Sequence, residues 1–219
     1  GLVGSEMCIR DSYLINRKLF ATFTGGYTRY RSHIIQKQNA FVSSADKSGQ
    51  VYFQEGHYRS AMEDVNLRAS FDYRPNVDHR IRMGSDYLFH LFRPEQSNMS
   101  SWYKDSVVSQ MNNTVFSHSL IHGHEVSLYA EDEMLLTDRL RVNAGLRFTL
   151  FHVQGETYQS FQPRFSARYL LGRNLSAKVS YTKMNQYIHL LSNSYISQPT
   201  DIWVPVTGNI RPMHAHQVT

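Results

Sequence analysis

Charged side chains in this chain sit singly inside segments whose other face is apolar. Arg68, Arg82, Glu131, Arg141, Arg147, Arg164, Arg168 and Lys178 form such a set, with both signs present. A mixed set of this kind can be a hydrated ladder of ion pairs. It can also focus field against a low-dielectric wall and draw an anion inward. His122 and His124 stand two apart on one strand face, and His214 and His216 repeat the spacing. Two imidazoles without a third ligand make a weak metal site, so no metal is expected. Neighbouring acids such as Glu131 with Asp132, or Asp132 with Glu133, point to opposite faces of a strand and cannot act as a paired acid and base. No Gly-rich phosphate loop, nucleophile elbow or HExxH is present. No catalytic residue, enzymatic activity or cofactor is expected.

The elements that must carry these charges are strands. Leu140, Val142, Ala144, Leu146, Phe148 and Leu150 alternate with Arg141, Asn143, Gly145, Arg147 and Thr149. A period of two is a strand period. The same split recurs at Phe165, Ala167, Tyr169 and Leu171, and again at Leu175, Ala177, Val179 and Tyr181. Soluble strands usually run about five or six residues, whereas a tilted strand crossing a bilayer needs about nine to eleven. These runs are of the longer kind. Tyr169, Tyr181, Phe148 and Phe151 lie near their ends, where interfacial girdles belong. The apolar face is therefore read as lipid-facing and the charged face as lumen-facing.

Composition agrees with that reading. The 219 residues carry a formal charge of +5 and a mean hydropathy of −0.45, with no run of about eighteen apolar residues that could make a spanning helix. Half-polar spanning strands score as hydrophilic on average, so a barrel fits. The basic residues are scattered among acids and form no block, which argues against nucleic acid as a partner. Cys8 is the only cysteine, so no internal disulfide is possible.

Taken in order, residues 1–12, GLVGSEMCIRDS, show no strand period and resemble a leader produced when a sequencing adaptor is translated as coding sequence. They are expected to lie outside the fold, with residues 13–219 forming one partial barrel domain. Seven strands are expected, with an eighth starting near Ile210. Residues 33–57, 93–121 and 186–209 are expected as long polar loops, a modest loop is expected around Gly155 and Glu156, and the remaining connections as short turns. Long and short connections on opposite ends mark an up-and-down barrel with short periplasmic turns and long extracellular loops. An odd strand count points to a fragment cut at both ends.

The segment FQPRFSARYLLGRNLSAKVSYTKMNQYIHLLSNSYISQPTDIWVPVTGNIRP resembles the barrel of TonB-dependent outer-membrane receptors, above all the large receptors common in Bacteroidetes. Gln162, Pro163 and Arg164 open one strand of that block. Leu175 to Lys178 with Ser180 and Tyr181 form its partner. The resemblance implies a plugged barrel of about 22 strands in the bacterial outer membrane. It also implies import of a bulky small-molecule or oligosaccharide nutrient, with energy delivered from the inner membrane through TonB. The implied partners are outer-membrane lipid, a plug domain, the TonB complex and the ligand. On this reading Tyr187, Tyr195 and Trp203 lie in an extracellular loop where aromatic rings could stack on a sugar or siderophore, or could anchor the loop. A passive porin and a soluble β-sandwich binding module remain alternatives.

Overall fold

The computed structural model describes the backbone of all residues except 1, 45–46, 105–108, 118, 173 and 192–201. Side chains are described outside 1–3, 40–52, 58, 94–118, 173 and 191–202. Among the described residues there are twelve strands: β1 (Leu2–Asn16), β2 (Leu19–Ser44), β3 (Lys47–Tyr73), β4 (His79–Lys104), β5 (Ser109–Ser117), β6 (Ile121–Thr137), β7 (Leu140–Val153), β8 (Glu156–Leu170), β9 (Ser176–Gln186), β10 (Ile188–Leu191), β11 (Ile202–Pro205) and β12 (Met213–Val218). Ten of them form one open antiparallel sheet in the order β1-β2-β3-β4-β6-β7-β8-β9-β12, with β5 added beside the far end of β4. β10 and β11 make a separate hairpin. Among the described residues no helix is long and apolar enough to cross a membrane, which says nothing against crossing by strands.

Register fixes two faces, and their burial is the reverse of a soluble protein's. The apolar positions Phe23, Leu67, Val126, Leu128, Leu146, Phe165 and Val179 are each between 42% and 56% exposed, while Asp86, Ser127 and Thr149 on the other face are between 0% and 2% exposed. A sandwich would bury its apolar face against a second sheet. Here nothing among the described residues covers it, so the sandwich alternative fails. We call the polar face inner and the apolar face outer. On β3 the outer apolar run from Val65 to Tyr73 spans nine residues, the length a tilted strand needs to cross a bilayer of ordinary thickness.

The short connections are closed by polar side chains. Asn16 Oδ1 accepts from the backbone N–H of Lys18 and Leu19 at 2.8 and 3.0 Å, and Asn76 Oδ1 accepts from Asp78 and His79 at 3.1 and 2.9 Å. Thr137 Oγ1 accepts from Leu140 N–H at 3.0 Å. Each satisfies donors that the turn leaves without a ladder partner. At the other end of β7 the modest loop expected around Gly155 tightens to a hairpin turn with Gln154 and Gly155 at φ 49° and 85°. Both central residues at positive φ match the twist of the flanking strands.

Three expectations are corrected. Residues 33–44 and 47–57 are not a loop but the outer halves of β2 and β3, paired as far as Ser44↔Lys47. Most of 93–121 is likewise strand, in β4 and β5. Polar strands of this kind are held by backbone hydrogen bonds and need no apolar face, so their sequences read as loop. The segment 2–12 is also strand, because β1 pairs with β2 from Leu2↔Ser32 onward. Every described side chain of β1 is exposed, so this pairing rests on the backbone, which accepts almost any sequence at a sheet edge.

The two faces predict opposite responses to charge. In the full-length protein Leu146→Asp or Val179→Asp, each facing hydrocarbon, should reduce folding into lipid by at most about 2–4 kcal/mol. Ser180→Asp on the inner face should leave it unchanged. The retention of the folded, heat-modifiable gel band measures both. Thr149 would not serve as the neutral control, because it is buried and hydrogen-bonded.

Candidate functional site

The inner face carries its polar groups in tiers. In the middle tier Asp86, with 1% of its side chain exposed, forms ion pairs with two arginines. Arg68 is its register partner on β3 and donates through Nε at 2.6 Å. Arg147, from β7, crosses β6 diagonally to bring Nη1 within 2.8 Å of the other carboxylate oxygen. Arg82 faces Glu131 in register, with Nε 2.8 Å from Oε1 in a contact not aligned for a hydrogen bond. Close approach is needed here. A Cβ at Gly145 would lie 2.6 Å from the Cβ of Glu131, and one at Gly84 would lie 2.7 Å from the Tyr129 hydroxyl.

In the same register row as Asp86, across β6, β7 and β8, runs a chain of hydroxyls. Ser127 and Thr149 share a 2.9 Å hydrogen bond, and Gln162 Nε2 donates to Thr149 Oγ1 and Ser160 Oγ at 3.2 and 3.0 Å. Tyr187 completes it by donating to Ser160 Oγ at 2.7 Å. Burial pushes the Tyr187 phenol above its usual range, which keeps that donor proton in place. The Tyr187 ring stacks on Phe151 with centroids 5.0 Å apart, and Phe151, Val153 and Val206 are 0% exposed around it. β11 also contacts β4, where Phe92 is fully buried. The segment after β9 therefore folds back over the inner face.

The eight charged residues named from the sequence all fall on the inner face. Register brings Arg68, Arg82, Glu131 and Arg147 into the ion pairs just described. Arg141 contacts Glu133 at 3.1 Å and stands in one row with Arg168 and Lys178, which remain exposed. Arg164 is exposed beside Gly145. Of the three aromatics, Tyr187 is buried rather than presented at a loop surface, Trp203 is half-buried on β11, and Tyr195 lies outside the described residues. Trp102 and Tyr103 fall in β4. Phe151, expected in an outer girdle, is an inner-face residue; it shares the parity of Thr149, which the strand period itself implies. The packing of Phe92, Phe151, Val153 and Val206 carried no signal in local sequence, since it depends on where the later hairpin lands.

His122 and His124 lie on the outer face beside Phe89, with centroids at 6.0 and 5.1 Å, and His124 Nδ1 is 3.0 Å from the Tyr87 hydroxyl. His216 is 3.0 Å from the Tyr181 hydroxyl. Among the described residues no group of three or more His, Cys, Asp or Glu could hold a metal ion.

A model of the TonB dependent receptor-like β-barrel family matches residues 10–219. The chain belongs to this family. It is a β-barrel segment of TonB-dependent receptor type, and the family resides in the bacterial outer membrane. Among solved structures the chain is similar to BauA, the ferric preacinetobactin receptor from Acinetobacter baumannii, with a TM-score of 0.59 and 12% identity over 99% of this chain. It spans 34% of that receptor's length. At that identity the likeness shows the fold alone. No match to a curated protein was found by sequence. The family is one of receptors and not of enzymes.

In this TonB-dependent receptor barrel Asp86 is the junction of two arginines, so Asp86→Ala leaves both guanidinium groups facing each other. The expected loss is about 1–3 kcal/mol. Glu131→Gln touches a more exposed pair and should cost about 0–1 kcal/mol. Urea midpoints of the refolded full-length barrel, read as the fraction of heat-modifiable band, compare the two.

Proposed function

We propose that the protein is the wall and part of the mouth of a receptor that imports a bulky nutrient across the outer membrane, using energy delivered through TonB. The reading rests above all on the segment after β9, which turns back over the inner face and docks Tyr187 and Val206 on Phe151. A docked aromatic element has already lost much of its conformational entropy, so its surface can contribute more to holding a ligand. The exposed Arg164, Arg168 and Lys178 on the inner face would attract an acidic plug surface or an anionic ligand.

The ligand would be a glycan, a siderophore or a molecule of similar bulk. A plug domain and the TonB complex are the partners this function requires. Trp203 on β11, with Tyr195 in the same segment, is the aromatic surface proposed to meet the ligand.

Deleting residues 199–206 from the full-length receptor should leave surface display intact and lower ligand uptake roughly tenfold or more, as loss of an aromatic contact centre does. Tyr187→Phe keeps the stack on Phe151 and should cost only about 1 kcal/mol. Normal display with unchanged uptake after the deletion would remove the capture role.

A further inference from the structure

The charge of the inner face changes sign along the strands. Around Asp86 the carboxylates Asp64, Asp86 and Glu125 outnumber Arg68 and Arg147. At the short-turn end, which the barrel rule places in the periplasm, the balance reverses. The Arg74 N–H donates to the Lys18 carbonyl at 2.8 Å, so the β1–β2 and β3–β4 turns lie side by side. Beside them is a hollow of about 630 Å³ whose charged lining sets Arg17, Lys18, Arg74, Arg80 and Arg82 against Asp72 and Glu131. Arg10 lines it as well, but belongs to the leader-like segment and is left out of the balance. Arg74 and Arg80 share one carboxylate, with Nε at 3.3 and 2.9 Å from the two oxygens of Asp72. Glu131 faces Arg82. Arg17 and Lys18 are exposed and have no ion pair among the described residues, and Lys18 Nζ donates to the Pro75 carbonyl at 2.6 Å. Cations therefore exceed carboxylates around this hollow.

We propose that this hollow binds a small molecule carrying two or more carboxylate or phosphate groups. The cations come from separate elements, the two turns and β4, so a single anionic group cannot meet them all. Groups held a few bonds apart can. The volume lies within the range of pockets that hold drug-sized ligands. Guanidinium forks match carboxylate and phosphate oxygens in pairs. The Arg82 Nε–H, buried and not aligned on Glu131, is left to donate to such a group. The field along the inner face, acidic around Asp86 and basic here, favours the arrival of an anion at this end. Binding here is separate from ligand capture at the mouth by β10 and β11, and stands without it.

The test uses the full-length receptor in a neutral detergent at low ionic strength, titrated calorimetrically with tricarballylate, a flexible tricarboxylate, and with inorganic pyrophosphate. Wild type should bind at one site, more weakly as added salt screens the charges, and should give no heat with the uncharged trimethyl ester of tricarballylate. Binding of either probe supports the site, and the tighter one assigns its chemistry. Lys18→Gln with Arg74→Gln should raise Kd roughly tenfold, each partly exposed ion pair contributing a factor of about three. Arg139→Gln, a cation of the next short turn that does not line the hollow, should change nothing. Failure of wild type to bind either probe overturns the proposal, and that includes a hollow already filled by carboxylates of the plug. An unchanged Kd in the double variant overturns it too. If the double variant does not fold, Arg17→Gln in its exposed turn takes its place: a rise in Kd of about threefold supports the proposal, and an unchanged Kd overturns it.

Discussion

A bilayer interior offers no partner to a backbone N–H or C=O, so a chain that crosses it must pair every such group within itself. Antiparallel pairing of long strands meets that demand for the strands between the two sheet edges, β1 and β12, and the rest of the structure follows from it. Side chains then alternate between two solvents. The outer face gains by being apolar, and Leu128 at 56% exposed and Val179 at 51% exposed are costs in water that hydrocarbon removes. The polar face is left to pack against itself, its neighbours and whatever fills the lumen. That is why the most buried side chains of the sheet include Asp86, Ser127 and Thr149.

The inner tiers solve the problem that polar burial creates. A buried carboxylate is tolerable when cations and hydrogen bonds compensate it, and Asp86 receives Arg68 from one side and Arg147 from the other. Glycine appears where a Cβ would collide, with the Ala69 carbonyl and the Tyr129 ring at Gly84 and with Glu131 at Gly145. Along the row of Asp86 the wall changes from ionic to hydroxyl, and the aromatic pair Phe151 and Tyr187 closes it. The returning segment therefore docks through apolar area, while the lower wall stays charged.

Much of this was legible because a period of two assigns faces without knowing the fold. Parity alone places Arg68, Arg82 and Arg147 together and Leu146 and Val179 opposite them. What parity does not encode is where a strand stops. Beyond the membrane band the strands of residues 33–44 and 47–57 continue on backbone pairing, and their Ser, Gln and Asn content reads as loop. Residues 2–12 join the sheet edge for the same reason. Residue type alone points Phe151 to the girdle, whereas its parity with Thr149 places it inside. The burial of Tyr187 depends on Phe151 and Ser160, contacts that no local pattern announces.

The central claim is that the even positions of β7 face lipid and the odd positions face a lumen. It is tested most directly by placing a nitroxide at each position from 141 to 150 of the full-length receptor in liposomes, with Cys8 replaced by Ser. Collision with oxygen, which partitions into hydrocarbon, is compared with collision with a water-soluble nickel chelate. The account predicts oxygen accessibility that alternates with a period of two and peaks at 142, 144, 146, 148 and 150. Alternation of the opposite phase, or no alternation at all, would contradict it.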